Sequence, residues 1–347
     1  MVGLAIAYRL SKAGRKVVVI EKEAGAGRGV TAGQANVIHV IQLPFGSLKS
    51  RLARKGNGMY DELCRELGVK LKRAPALLVV KGWTRLPALV VVHIYLKLEL
   101  RGQFRVQLMR GKSLRRIEPL LADEVSGGIV VHGYGTVDSP SLVSKLKEGS
   151  ERLGAVFRFG WKVTSAEVGE GSTLLRTSGG DVRARVVVNS AGLYSDEVSM
   201  MLGKNLGRLE AGLGVMAVYS GLGLQNTVAP LPLSVGSRTK GGAIIPTTDD
   251  KTVVGPNLRV ASSKEDLTYT EGDLKVLRAK FGPLLKVEGK LDRVYCGMRP
   301  LSPTRDFVID YDPAKRTVNL VGIESPGLTA APAIAEMVEK MVKGEPV

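Results

Sequence analysis

Val2-Gly3-Leu4-Ala5-Ile6-Ala7-Tyr8-Arg9-Leu10, then Gly14, then Lys16-Val17-Val18-Val19-Ile20-Glu21: this opening decides the reading of the chain. The first run reads as the start of a helix and the glycine as its stop. The second run reads as a buried strand ending at Glu21. Dinucleotide-binding βαβ units have this order. In them, glycines let a helix N-terminus approach a pyrophosphate, and an acid at the end of the second strand takes ribose hydroxyls. Gly3 stands where the last glycine of G-x-G-x-x-G belongs, and Glu21 follows 18 residues later. The strand and the two glycines that precede Gly3 in that pattern are not in the sequence.

Working outward, Ser47 to Leu67 carries Leu48, Leu52, Met59, Leu63 and Leu67 on one helical face. Lys49, Arg51, Arg54 and Lys55 fall elsewhere, and Gly68 ends the helix. Ala76 to Val80 reads as a short strand. Lys81 to Glu118 reads as strand-like runs mixed with turns, and Gly127 to Val137 as strand, turn, strand. Ser139-Pro140 opens a helix that Gly154 closes, since proline's missing N–H costs nothing in a first turn. Strands follow at Ala155 to Phe159, Trp161 to Val168 and Arg185 to Asn189. The last of these runs into Ser190-Ala191-Gly192 and a helix from Ser195 to Leu202. Gly212 to Lys290 is rich in glycine and short strands, with a helix near Glu271 to Phe281. Thr317 to Val321 reads as a strand, Gly322 to Pro332 as a small-residue loop and Ala333 to Val342 as a helix. The expected class is α/β: a discontinuous Rossmann-like nucleotide domain carrying an inserted α+β domain dominated by an antiparallel sheet. The expected boundaries are 1–72, 137–205 and 292–347 for the first, and 73–136 and 206–291 for the second, substrate-binding domain.

At 347 residues, 44% hydrophobic and 24% charged, the chain can bury the cores of two domains. Its 50 basic and 33 acidic residues give a net charge of +17. The basic residues are scattered, aromatics are 5%, and no nucleic-acid motif occurs, so nucleic acid is not an expected partner. Diffuse positive charge does suit weak attraction to an anionic membrane surface. The apolar run Leu86 to Leu96 contains Pro87 and His93 and falls short of the roughly 20 residues that cross a bilayer. No charged-then-apolar leader is expected. Cys64 and Cys296 are too few for a disulfide framework or an iron–sulfur cluster. The expected location is the cytoplasm, with contact at the inner face of the membrane as an extension. No metal-ligand cluster is visible, and Asp249-Asp250, Asp310 and Asp312 read as turn residues.

Five blocks carry a resemblance. They are the opening βαβ piece, Asn36-Val37-Ile38-His39, Asn189-Ser190-Ala191-Gly192-Leu193-Tyr194-Ser195-Asp196, Gly297-Met298-Arg299-Pro300, and Gly322-Ile323-Glu324-Ser325-Pro326-Gly327-Leu328-Thr329-Ala330-Ala331-Pro332. In this order they resemble the FAD-dependent oxidoreductases of the D-amino-acid oxidase superfamily, over nearly the whole chain. Within it they look most like flavin-dependent glycerol-3-phosphate dehydrogenases, then enzymes of the L-2-hydroxyglutarate dehydrogenase type. Three departures stand out. The opening of the pyrophosphate site is absent, which leaves open an upstream translation start, a clipped chain or impaired flavin binding. Ala32-Gly33-Gln34-Ala35-Asn36 replaces the family's usual Asn-Ser-Gly. The cysteine-rich C-terminal domain of some members is lacking, so a further electron carrier would come from a partner.

The resemblance implies FAD and a set of residues to hold it. Gly3 packs beside the pyrophosphate, Glu21 takes the adenosine ribose, and Lys22 neighbours the adenine. Thr31, Ala32, Asn36, Val37 and Ile38 pass the pyrophosphate and ring. The Val163 backbone pairs with the adenine, and Ala191 and Gly192 allow close approach. Gly327, Leu328 and Thr329 present N–H groups that stabilise negative charge at the flavin N1 and O2. Arg299 serves both ring and substrate: its planar fork grips a carboxylate or phosphate. His39 takes the proton as hydride leaves for flavin N5, since histidine titrates near neutral pH. His93 and His132 are expected to be structural. The implied reaction is oxidation of a small anionic alcohol, glycerol 3-phosphate first, with electrons passing to a quinone or another acceptor. An L-2-hydroxy acid dehydrogenase or oxidase, a sarcosine- or glycine-type amine oxidase, and a flavin-free binding subunit are the alternatives.

Overall fold

The opening helix forms at Val2–Lys12 (α1), and the strand after it at Val18–Glu21. The computed structural model describes residues 1–231 and 241–346. Residues 232–240, part of the expected strand-rich stretch, lie outside the described residues. The other helices described are α2 (Leu48–Leu67), α3 (Leu86–Leu100), α4 (Gly111–Ile117), α5 (Ser139–Arg152), α6 (Ser195–Met201), α7 (Glu271–Phe281) and α8 (Gly327–Lys343).

One core holds α1, α2, α5 and α8 together. Leu4, Ile6 and Leu10 meet Leu52, Tyr60, Leu67, Leu142, Leu146, Ile334 and Val338 there. Each large aliphatic side chain so buried stabilises the fold by about 1.5–3 kcal/mol relative to exposure. α2 is bounded as its sequence dictates. Ser47 Oγ accepts from the Ser50 N–H, and Gly68 closes the helix in the left-handed region at φ 67°. The Asp306 carboxylate accepts from the N–H groups of Leu48 and Lys49 at 2.8 Å each. Gly56, inside α2, is where α8 comes closest: a Cβ there would lie 2.1 Å from the Thr329 carbonyl oxygen.

The Val18–Glu21 strand is not the buried strand expected. It pairs in parallel with Val156–Phe159 on one edge, and its other edge lines a cavity, so Val18 is exposed and the rest half-buried. Across that cavity Val187–Asn189 runs parallel to Thr317–Val321, which pairs antiparallel with Val308–Asp312. Asp310 and Asp312 are therefore strand residues rather than turn residues, and Lys204 Nζ sits 3.9 and 3.4 Å from them.

The second layer is an eight-stranded sheet. Its order is Lys290–Leu301, Glu210–Ser220, Thr252–Val260, Ala243–Pro246, Thr227–Pro230, Ala76–Lys81, Val125–Val131 and Val106–Arg110. Every neighbouring pair is antiparallel except Thr227–Pro230 with Ala76–Lys81. The expected boundary at 291/292 falls inside the 12-residue strand Lys290–Leu301, which pairs with Glu210–Ser220 along its length, with a register shift between Val218 and Tyr219. That long strand carries Arg299 from the sheet toward the nucleotide side. Two α3 flanks, Lys81 and Glu118, were expected to bracket strand-like runs, yet Leu86–Leu100 is a 15-residue helix. Its apolar residues surround the axis, so no 3.6-residue period marks it, and Val90-Val91-Val92 imitates a strand.

α8 starts at Gly327, six residues before the expected Ala333, with Pro332 inside it. Proline there removes the N–H that would bond the Leu328 carbonyl. The Tyr60 hydroxyl donates to that carbonyl instead, from the fully buried face of α2. Tyr60→Phe should therefore strand a buried acceptor, costing about 1–3 kcal/mol. Calorimetry should record a drop of a few degrees in Tm; a melt identical to the parent would contradict this account of the proline.

Candidate active site

A cavity of about 2900 Å3 lies between the two layers, well above the roughly 300–1,000 Å3 of an ordinary ligand site. Gly3, Gly192 and Gly327, from three distant parts of the chain, all line it. So do Glu21, Lys22, Thr31, Ala32, Asn36, Val37, His39, Val163, Ala191, Leu328 and Arg299. Ile38 and Thr329 do not: both are fully buried behind the wall.

At one end, α1 begins against the end of the Val187–Asn189 strand. A Cβ on Gly3 would lie 2.5 Å from Ser190 Oγ, a close approach that a larger residue could keep only by turning the serine hydroxyl away. Asn189 Oδ1 accepts from the Ala191 N–H at 3.2 Å, and Gly192 turns the chain at φ 59° into α6. The Glu21 carboxylate accepts from the Glu23 N–H at 3.0 Å. Lys22 Nζ stands 4.4 Å from the centroid of the Tyr194 ring, a cation–π distance. The Tyr194 hydroxyl donates to Glu265, and burial together with that carboxylate pushes its pKa well up. Lys264 joins this rim by pairing with Asp196 at 3.0 Å and Glu197 at 2.7 Å.

In the middle, the 3-10 turn Val30–Gly33 meets the Lys290–Leu301 strand backbone to backbone. A Cβ on Gly33 would lie 2.1 Å from Gly297 Cα, and one on Gly297 would lie 2.3 Å from the Gly33 carbonyl oxygen. Two glycines 264 positions apart thus bring the loop that carries Thr31 and Ala32 against the strand that carries Arg299. Asn36 adopts φ 61° and its side chain accepts from Ser139 Oγ, which fixes the loop's exit into Val37–Ile38.

At the far end, His39 is held through its main chain on both sides. Its N–H donates to Thr329 Oγ1 at 3.0 Å, and its carbonyl accepts from Asn57 Nδ2 at 2.9 Å. The Tyr134 ring meets the imidazole edge-on, with centroids 6.0 Å apart. Thr329 Oγ1 also donates to the Val37 carbonyl, so its hydroxyl ties strand to helix. α8 enters the wall with no side-chain cap and no acid in its first turn. The Gly327 N–H donates to the Glu324 carbonyl at 2.5 Å, while those of Leu328 and Thr329 have no earlier helical carbonyl to bond and favour negative charge.

Arg299 is half-buried by surface yet its guanidinium is deep in the cavity, and Nη1 has no hydrogen-bond partner among the described residues. Burial pushes its pKa down, and the Glu324 carboxylate opposes that. Arginine keeps its charge under such strain. Lys49, placed off the apolar face by its spacing, is only 2% exposed. Its Nζ donates to the Arg305 carbonyl and lies 3.5 Å from Glu324. The Lys49 ammonium and the Arg299 guanidinium thus both feel the Glu324 carboxylate inside a low-dielectric wall. Lys49 was missed because its burial comes from Glu324 and Arg305, both far along the chain. Its neighbours in sequence gave no sign of it. His93 and His132 do not line the cavity, and burial lowers both pKa values. Among the described residues no group of His, Cys, Asp and Glu could hold a metal.

The profile of the FAD dependent oxidoreductase family matches residues 1–341. The chain is 26% identical over 351 residues to the glycerol 3-phosphate dehydrogenase of Caloramator mitchellensis, covering 99% of this chain and 72% of that protein. It is 26% identical over 402 residues to the mitochondrial L-2-hydroxyglutarate dehydrogenase of Arabidopsis thaliana, covering 97% and 80%. Its fold is similar to that of the L-alpha-glycerophosphate oxidase from Mycoplasma pneumoniae, solved with FAD bound. The TM-score is 0.89 at 22% identity, over 99% of this chain and 92% of that one. Glycine oxidase from Geobacillus kaustophilus gives a TM-score of 0.87 at 20% identity, over 100% and 93%.

Proposed function

For a chain that belongs to the family of FAD-dependent oxidoreductases, we propose oxidation of a small anionic alcohol, glycerol 3-phosphate before any other. The observation that carries this reading is the buried, incompletely bonded guanidinium of Arg299 in the same cavity as His39.

The residues present fit FAD. The cavity has the volume, Gly3, Gly192 and Gly327 all line it, and α8 offers an N-terminus without a side-chain cap. In this reading Gly3, Ala191 and Gly192 hold the pyrophosphate. Glu21, Lys22 and Val163 would hold the adenosine, and Thr31, Ala32, Asn36 and Val37 would form the passage to the ring. Gly327 and Leu328 would stand at its negatively charged edge, with the buried Ile38 and Thr329 supporting that wall from behind. Bound FAD supplies a two-electron acceptor. Arg299 binds the substrate anion through the N–H groups of its planar fork. His39 takes the hydroxyl proton, from a ring oriented by Thr329, Asn57 and Tyr134. The two layers close around the substrate and exclude water, which strengthens both interactions. Electrons leave to a quinone or another acceptor, and the net charge of +17 holds the protein at an anionic membrane face.

An L-2-hydroxy acid is the second reading, because the Arg299 fork suits a carboxylate as well as a phosphate and a 26% identical relative is an L-2-hydroxyglutarate dehydrogenase. Steady-state assays of FAD-reconstituted protein with glycerol 3-phosphate, L-2-hydroxyglutarate and sarcosine separate the readings. The first should be turned over with the highest kcat/KM. Turnover of sarcosine alone would overturn both.

A further inference from the structure

We infer that α3 docks the protein on the surface of an anionic lipid bilayer, with Trp83, Val91, Ile94 and Leu98 entering the interface. One side of α3 is accounted for: Leu89, Leu96 and Leu100 are buried in the core of the eight-stranded sheet. The opposite side is just as apolar and faces outward. Val91, Ile94 and Leu98, spaced by three and four residues, form one ridge, with Val90 and Tyr95 beside it. Val91 is 67%, Leu98 69% and Trp83, just before the helix, 73% exposed. An outward ridge of this kind marks an interaction surface rather than scattered apolar residues.

The charges around the ridge select its occupant. Arg85, Lys97, Arg101 and Arg105 are all exposed, and residues 81–105 contain five basic residues against the single acid Glu99. A twofold contact between copies of this chain would set basic residues against basic residues. An anionic headgroup layer answers the same ring of charge, each basic residue near the surface adding attraction. Tryptophan beside an apolar ridge suits the interfacial zone. At 1.5 Å per residue, 15 residues span about 22 Å, short of the roughly 30 Å hydrocarbon core, so α3 lies in the surface plane.

The helix also touches the site. Val92, Tyr95 and Leu96 line the cavity, and the Tyr95 ring packs edge-on against Phe45 at 5.5 Å on the cavity rim. Docking through α3 sets that rim against lipid, where a lipid-soluble electron acceptor concentrates. This consequence rests on the quinone reading above; the docking itself does not.

The test is co-sedimentation of the full chain with vesicles of phosphatidylcholine containing phosphatidylglycerol, and with phosphatidylcholine alone. No substrate is present, so a failure of the assigned activity leaves the result untouched. Binding to the anionic vesicles is expected, with a blue shift of tryptophan emission that Trp83→Phe removes while Trp161 remains. Val91→Asp with Ile94→Asp should weaken binding about thirtyfold, since two added acids each oppose the surface by about 1 kcal/mol. Lys97→Glu with Arg101→Glu, which leaves the ridge intact, should weaken it about a thousandfold, since each reversal removes one attraction and adds one repulsion. No binding to anionic vesicles, equal binding to neutral ones, or a shift that survives Trp83→Phe would overturn the proposal. So would a dimer that Val91→Asp with Ile94→Asp dissociates in a protein indifferent to vesicles.

Discussion

Arg299→Ala lowers kcat/KM for glycerol 3-phosphate by about a hundredfold or more, nearly all of it in KM, while the protein keeps its flavin. Truncating one side of a buried charge-assisted pair costs about 2–5 kcal/mol. On the proposed reading the other side is the substrate anion. Arg299 Nη1 is buried without a partner among the described residues, so truncation removes no hydrogen bond described for that atom. Glu324 stays within 3.5 Å of Lys49 Nζ and is not left isolated. Arg299→Lys tests the geometry separately from the charge. A point charge lacks the two-pronged fit, so its KM should lie between parent and alanine variant. A KM unchanged in Arg299→Ala would remove the residue from the substrate side.

His39→Gln acts on the other half of the reaction. Loss of a general base lowers kcat by about 10²- to 10⁴-fold. KM should move little, because the anion is held elsewhere. The fold should tolerate the change: the position is fixed by its own N–H to Thr329 and its carbonyl from Asn57, both main-chain contacts. The variant loses the edge contact to Tyr134, and such contacts are worth about 0.5–1.5 kcal/mol in aromatic pairs. Rapid-reaction reduction of the bound flavin should therefore slow in His39→Gln while the melting temperature falls by no more than a few degrees. Equal rates in variant and parent would mean that another group takes the proton.

Local patterns made much of the fold legible. α2 was readable from Ser47 to Gly68 because its apolar stripe, its cap and its left-handed stop all lie in one run of sequence. α7 was readable for the same reason, and Thr270 with Asp273 forms a full capping box there. α3 was hidden by having two apolar faces, one for the sheet and one for the outside. The start of α8 was hidden by Pro332, whose missing bond is replaced by Tyr60 from 268 residues away. The exposure of Val18 follows from an edge without a strand partner, which no residue in Lys16 to Glu21 announces.

The site divides along the same line. Gly3, Gly192 and Gly327 could be picked out because small residues at strand-to-helix junctions are a local signal, and the three do line one cavity. Gly33 and Gly297 each look ordinary alone; only their contact makes them necessary. Lys49 sits on a polar helical face by spacing and is buried by partners from the chain's last 43 residues. Pairwise closeness of this kind has no period and leaves no trace in a single sequence.

The account's central claim is that the cavity between the two layers binds FAD and presents it to an anionic alcohol. Anaerobic mixing of FAD-reconstituted protein with glycerol 3-phosphate, followed at the flavin band near roughly 450 nm, tests it most directly. The band should bleach within a turnover, faster than with sarcosine, and by less when Arg299 is alanine at the same substrate concentration. A protein that takes up FAD and shows no bleaching at saturating glycerol 3-phosphate, or that takes up none, would contradict it.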